Sequence, residues 1–514
     1  MAVKNLKKNT FLNLANIAVN TIISFVTRTY LIRYLGLEIL GVNATIVDTI
    51  NMLNVTELGI QAAISYKMYE PIQNNDYDRQ QKLFSLYRKA YRAVGLIIFA
   101  AGLCILPFLK SIVNTSISMS LVYTVYLLQL GNAALGYALS YYKLLFLTHE
   151  KQYVTTRIDI LVTIFARIVQ MILLFLTKNY IIYIACNYII SVFGNYIIKL
   201  RSKKDYERII QHADVEKGDV IQLFNELKQM VVGTLMTYIN GSTDNIMTSF
   251  FFGSLATGFV SNYKTVTNIM KTFLSSLVLS LTPTWGTYLY SKNNDEESLR
   301  DHLNSSIFAF YVLLMILMVP TLCLIDDFIV IWLGKEFCID KLITVLVIVE
   351  IFCAFLNEPA RLITNNYGMF KEEKEISMIS TFFNLTCSYV FSMMLGTPGI
   401  FIGTLISTLV CWLTRSFVVM KRCYIDSGKY LKEYWVNNLI YVISFFALSG
   451  ICTYLSKLIR FNNLIFQFVL RGVMIEMILA LYFLIFWKKD EKMSFLMSRI
   501  DLSRFKRILN PRRN

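Results

Sequence analysis

The feature that most constrains this chain is a charged stripe within a stretch apolar enough to cross a membrane. Residues 258–280 read GFVSNYKTVTNIMKTFLSSLVLS. At 100° per residue, Lys264, Asn268, Lys271 and Ser275 fall within about 60° of arc on a helix. A cation near the centre of a bilayer costs about 2.5–3.5 kcal/mol, so such residues face a bundle interior or a watery cavity. Two cations on one narrow stripe call for an anion across that cavity. Their spacing puts them about 10.5 Å apart along the helix axis.

The rest of the sequence reads as the vessel for this stripe. Apolar segments of about 20 residues recur from end to end, each long enough for some 30 Å of hydrocarbon. Fourteen are expected, near 10–34, 41–66, 92–113, 117–142, 154–177, 179–198, 223–252, 255–288, 303–325, 341–360, 375–396, 399–420, 434–456 and 463–487. The 55% hydrophobic content exceeds what a soluble core of this length requires. The expectation is an all-α polytopic membrane protein.

A net charge of +16 raises the question of nucleic acid. Topology accounts for it better. With the N-terminus inside and alternating spans, 36 of the 50 Lys and Arg fall in inner segments, 7 in outer loops and 7 within spans. This is a positive-inside pattern, and it predicts both termini in the cytoplasm. The tail 488–514 reads as a basic amphipathic segment on anionic lipid. The nine cysteines are scattered without a C-x-x-C pair, so neither a disulfide framework nor a zinc site is implied.

Two further spans carry polar stripes. In the first, Asn13, Asn16, Asn20, Ser24, Thr27 and Arg28 lie within about 120°. The asparagines could simply glue helices together, and Arg28 could snorkel outward, or the stripe lines a cavity. In the second, Asn51, Asn54, Glu57 and Gln61 share a similar arc, with Asp48 at its edge. Either Asp48 or Glu57 is a candidate structural partner for Arg28, or a site for proton or sodium coupling. Asp244, on the seventh span, is a candidate salt-bridge partner for Lys264. Arg167, Glu350 and Arg415 are second-rank cavity candidates, and Arg471 with Glu476 is an expected structural pair.

The basic loop 201–218 divides the chain, and beyond it the pattern restarts. YLGLEILGVNATIVDTINML near the first turn is echoed by FFGSLATGFVSNYKTVTNIM. Gly36, Gly41 and Asn51 match Gly253, Gly258 and Asn268 at an offset of 217. Short Gly-bearing turns also recur by chance. Read as a repeat, the match gives two six-span lobes in parallel pseudo-twofold arrangement, 1–200 and 219–422, with two extra spans in 423–487. Substrate is bound between halves in such transporters.

The texts LNVTELGIQAAISYKMYEPI, GSTDNIMTSFFFG and VSNYKTVTNIM followed by LTPTWG resemble the polysaccharide-transporter branch of the multidrug/oligosaccharidyl-lipid/polysaccharide exporter superfamily. These are the Wzx-type flippases of O-antigen and capsule synthesis in the bacterial cytoplasmic membrane. The resemblance covers nearly the whole chain and rests on the order and spacing of these texts, not on one motif. It implies a V-shaped alternating-access cavity lined by spans 1, 2, 7 and 8. It also implies an undecaprenyl-pyrophosphate-linked oligosaccharide as substrate, with a polysaccharide polymerase and a chain-length regulator as functional neighbours. By position, Arg28, Lys264 and Lys271 would meet the anionic head group, with Asn16, Asn20 and Asn268 as polar contacts. Lys264, nearest mid-membrane, is the expected principal contact, and Lys271 the first to capture the head group.

Three rivals stay open. A peptidoglycan-precursor flippase shares the span count and a basic cavity. An ion-coupled multidrug exporter would favour carboxylates over cations. A membrane polymerase or glycosyltransferase would need a sizeable loop with paired acid–base residues, and the longest outer loop, about 325–341, offers no such spacing. No Gly-x-x-x-x-Gly-Lys phosphate loop is present, so ATP consumption and cofactor chemistry are not expected. The topology predicts that a cysteine introduced at Lys204 in sealed cells escapes membrane-impermeant thiol reagents; labelling from outside would reverse the orientation.

Overall fold

The computed structural model describes residues 2–53, 57–211, 213, 217–289, 296–424 and 426–488. Helices make up 91% of the structure, and no strand occurs among the described residues. This is the form that hydrocarbon demands, because a helix satisfies its own backbone donors and acceptors. Among the described residues, eight helices are long and apolar enough to cross a membrane, or nine if Lys341–Leu356 and Glu358–Asn366, bent by 41°, form one span. The helices with polar stripes, Ala2–Leu35 and Lys217–Leu289, are not among the eight. A cavity-lining face lowers mean hydropathy in just this way.

The chain divides into two compact units. The first holds Met1–Thr265 and Ser392–Ile400; the second holds Val266–Phe391 and Phe401–Asn514. In the first, Ala2–Leu35 packs on Gln152–Thr177, which packs on Tyr180–Asp205, while Met119–Ser140 contacts both Tyr180–Asp205 and Tyr77–Ile105. Buried aromatics knit this unit: Phe84, Tyr87, Tyr91, Tyr141 and Tyr142, with ring centroids 4.2 Å apart for Tyr87–Tyr91 and 4.4 Å for Tyr141–Tyr142. In the second, Glu296–Trp332 packs against Lys341–Leu356, Ser427–Leu458 and Leu464–Phe486. There Tyr311 stacks on Tyr441 and Phe352 on Phe445, each pair at 4.2 Å.

The repeat read in the sequence has a counterpart in the backbone. Gly36 separates Ala2–Leu35 from Leu37–Asn51 with φ 87° and ψ 167°. Gly253 breaks Lys217–Leu289 with φ 83° and ψ 164°. L side chains are strained at this φ, so glycine is what permits the break. One loop ties both breaks. The Ser254 N–H donates to the Asn114 carbonyl at 2.7 Å. Glu38 accepts from the Thr115 hydroxyl at 2.6 Å and from the Ser116 N–H and hydroxyl at 2.6 and 2.7 Å. Burial alone would raise the Glu38 carboxyl, but these bonds together hold it below the usual carboxylate range.

One sequence expectation is corrected. Arg471 does not pair with Glu476; it donates to Asp327 at 2.6 Å. Five residues along a helix is about 140° of rotation, so Glu476 points to a different side.

The second pair of matched glycines sits where the two hairpins cross. A Cβ on Gly41 would lie 1.7 Å from the Ser254 carbonyl oxygen, and one on Gly258 would lie 2.5 Å from that of Leu37. Both obstacles are backbone, which cannot swing aside. Gly41→Ala is therefore expected to destabilise the protein by about 1–3 kcal/mol or more, read as a lowered melting temperature in detergent. Gly136→Ala, where nothing lies within 4 Å of the new carbon, serves as the control and should leave the melting temperature unchanged or slightly raised.

Candidate functional site

The first unit contains a polar site built on the crossing of Ala2–Leu35, Leu37–Asn51 and the Lys217–Leu289 segment. Helical geometry gives that last segment two polar faces. Lys264 lies on one. Ser261, Asn262 and Thr265 lie about 60° to 160° around from it, on a second face that the lysine stripe conceals in the sequence.

Arg28 docks on the second face. Its Nε donates to Asn262 Oδ1 at 2.6 Å, its Nη1 to Thr265 Oγ1 at 2.7 Å, and its Nη2 to Ser261 Oγ. All three acceptors are neutral. Asn262 and Ser261 are buried. Among the described residues, no carboxylate forms an ion pair with Arg28, so no counter-ion offsets its charge. Two of its five N–H donors remain for a further acceptor. The sequence offered Asp48 or Glu57 as its partner. Asp48 instead accepts from Asn245 Nδ2 at 2.7 Å. Glu57 opens the helix Glu57–Gln73, and its side chain lies outside the described residues.

Lys264 lies on the same helical turn as the Arg28 contacts, and its Nζ sits 3.0 Å from Asp244 Oδ2. The two side chains are 15% and 12% exposed, which places this ion pair in partly desolvated surroundings. The first unit thus brings together Arg28, Lys264, Asp244 and Asp48, with Asn245, Asn262, Ser261 and Thr265 as the hydrogen-bonding frame. With all four ionisable groups charged, the two cations and two carboxylates cancel. Protonating Asp48 would leave the site net cationic.

Other sequence candidates lie in different settings. Asn20 donates to Asn16 Oδ1 and to the Asn16 carbonyl, both at 2.8 Å, so these two engage each other along one helix. Asn268 is exposed. Lys271 belongs to the second unit and pairs with Glu350 at 2.9 Å. Arg415 is buried and makes two bonds of 2.8 Å to Glu373. Arg167 donates to Gln170 Oε1 at 2.9 Å and to the Tyr183 hydroxyl at 3.4 Å. Among the described residues, no group of three or more His, Cys, Asp or Glu side chains converges as a metal site.

Fold and site together define a multi-pass helical membrane protein with a polar site of two cations and two carboxylates in its first unit. The chain matches the model of the polysaccharide biosynthesis protein family over residues 6–289, more than half its length, and it belongs to that family. No curated protein matches it in sequence. Its fold is that of the MOP-superfamily transporters. It resembles the lipid II flippase MurJ in an inward closed conformation with TM-score 0.69 at 13% identity, covering 92% of this chain and 98% of that one. It resembles a mutant of the Vibrio cholerae MATE transporter VcmN with TM-score 0.59 at 13% identity, covering 82% and 97%. An inward-facing multidrug resistance MATE family transporter of the MOP superfamily gives TM-score 0.58 at 13% identity, covering 84% and 99%.

Breaking a buried ion pair by removing one partner costs about 3–5 kcal/mol, because the other charge is left unanswered. Lys264→Met is expected to lose most of that amount in detergent unfolding. Adding Asp244→Asn should recover more than half of it. A double mutant as unstable as Lys264→Met would mean that the loss does not come from leaving Asp244 unanswered.

Proposed function

We propose that the chain is a flippase carrying undecaprenyl-pyrophosphate-linked oligosaccharide units across the bacterial cytoplasmic membrane by alternating access, and that it is not an enzyme. The single observation behind this reading is the state of Arg28: a charged guanidinium within a membrane span, held by three neutral acceptors, with donors left over. A pyrophosphate fits such a group, since guanidinium–phosphate pairs are short, charge-assisted and often bidentate. In low dielectric the attraction far exceeds its value in water.

Family membership and the flippase and exporter folds support a transport role. In this reading the halves 1–200 and 219–422 move about the loop 201–218. The pair of spans in 423–487 and the basic tail 488–514 lie outside the moving core, and both termini face the cytoplasm. The exported unit would pass to a polysaccharide polymerase and a chain-length regulator. The principal contact moves from Lys264 to Arg28. Lys264 already holds Asp244 and Lys271 already holds Glu350, so an arriving anion must displace a carboxylate to reach either lysine. It meets Arg28 uncontested. Asp48, bound by an amide and not by a cation, is the proposed coupling group: taking up a proton or a sodium ion there raises the net positive charge of the site when the head group enters.

A charge-assisted hydrogen bond is worth about 1.5–3 kcal/mol, about ten- to a hundredfold in affinity. Arg28→Ala is expected to cut export of surface polysaccharide by a factor in that range, with lipid-linked precursor accumulating in the inner leaflet. Arg28→Lys should keep part of the activity. Normal insertion with wild-type export in Arg28→Ala would dismiss the reading. Export of cationic drugs, abolished by Asp48→Asn and indifferent to Arg28, would turn it towards the multidrug exporters.

A further inference from the structure

The first unit contains a second embedded cation whose charge is unmatched. Arg167 lies in Gln152–Thr177 and faces a cavity of about 300 Å³. Its side chain is not free to wander. Gln170, fully buried, donates to the Tyr183 carbonyl at 2.9 Å and accepts from Arg167 at 2.9 Å, which fixes the guanidinium against the cavity wall. Among the described residues, no carboxylate lies within ion-pairing distance of Arg167. The nearest acid in sequence, Asp159, is taken by Lys143 at 2.9 Å. An intramembrane charge without a counter-ion marks a place where a ligand supplies one.

The same cavity carries three carboxamides with capacity to spare. Asn43 Oδ1 accepts from Gln129 at 2.9 Å and from the Tyr180 hydroxyl at 2.7 Å, which fixes its amide nitrogen as a donor with no described partner. Asn132 and Asn187 line the cavity without a hydrogen bond to any described residue. Asn187 and Arg167 also line an adjoining cavity of about 170 Å³, together with the paired Lys143 and Asp159. Carboxamides both donate and accept, as sugar hydroxyls do. A volume of this size is at the lower end of the roughly 300–1,000 Å³ typical of ligand pockets, with room for one sugar ring.

We infer that this cavity binds one acidic monosaccharide residue, with its carboxylate on Arg167 and its hydroxyls on Asn43, Asn132 and Asn187. The inference rests on the flippase reading for its biological source, a sugar of the head group, but the site is separate from Arg28. It would select among head groups by their acidic sugar, whereas the pyrophosphate is common to all of them.

The test uses the full-length protein in detergent, with free glucuronate as probe and saturation-transfer NMR as readout. Glucuronate should bind and glucose should bind at least tenfold more weakly. Arg167→Gln should weaken glucuronate at least tenfold, while Arg28→Gln should leave it within twofold. Asn187→Asp places a carboxylate beside Arg167 without changing side-chain size. It should abolish glucuronate binding while the melting temperature holds or rises, which covers the case in which Arg167→Gln fails to fold. Equal binding of glucuronate to wild type and to the Asn187→Asp protein overturns the proposal. So does displacement by inorganic phosphate at equal concentration, which would assign the site to a phosphate group. Wild-type export in Arg28→Ala with glucuronate bound as expected fails the flippase reading alone; loss of export in Arg28→Ala with no glucuronate binding to the wild type fails this one alone.

Discussion

Everything in this structure depends on how charge is answered inside hydrocarbon. Water is absent there, so each embedded ionised group must find an opposite charge, a set of hydrogen bonds or a ligand. The chain shows the first two answers. Lys264 has Asp244, Lys271 has Glu350, Arg415 has Glu373 and Arg471 has Asp327. Arg28 and Arg167 have only neutral partners among the described residues. The first group reads as architecture: pairs that fix which helices touch. The second group is positive charge held in place by neutral groups alone. The division is sharper than any ranking of residues by polarity, because it separates the cations by what stands opposite them.

Much of this was legible in the sequence. Periodicity placed Arg28 on a polar stripe with Asn16 and Asn20, and Lys264 on another with Lys271. It also put Gly36 in register with Gly253. Local rules sufficed for these because they concern one helix at a time. The partner assignments were less accessible. Arg28 meets Asn262, 234 positions away, and Arg471 meets Asp327, 144 positions away. Both partners are set by packing between distant segments, which no spacing rule reaches. The Arg28 contacts were further hidden because Ser261, Asn262 and Thr265 are short polar residues on the side of the helix away from the lysines. Such residues signal nothing alone. The bend at Asn357 likewise interrupts a run that reads as one span, where Pro359 follows on the next turn.

The polar site is also economical in its frame. Leu37–Asn51 carries Asn43, Asp48 and Asn51. Asp48 is engaged with Asn245, while Asn43 and Asn51 line the cavity that Arg167 faces. One short helix therefore borders both polar regions of the first unit. A shift of this helix along its axis would disturb both at once, whereas side-chain changes at Arg28 or Arg167 would disturb one.

The crossing of the two glycine-marked hairpins has a further meaning. Leu37 and Ser254 occupy equivalent positions in the repeat, as do Gly41 and Gly258. The contact runs from Gly41 to Ser254 and from Gly258 to Leu37, so each repeat touches the other through the same two positions. That reciprocity is the signature of an isologous interface, in which one patch meets its own copy across a two-fold axis. The polypeptide thus carries inside one chain the kind of seam that normally joins two identical subunits.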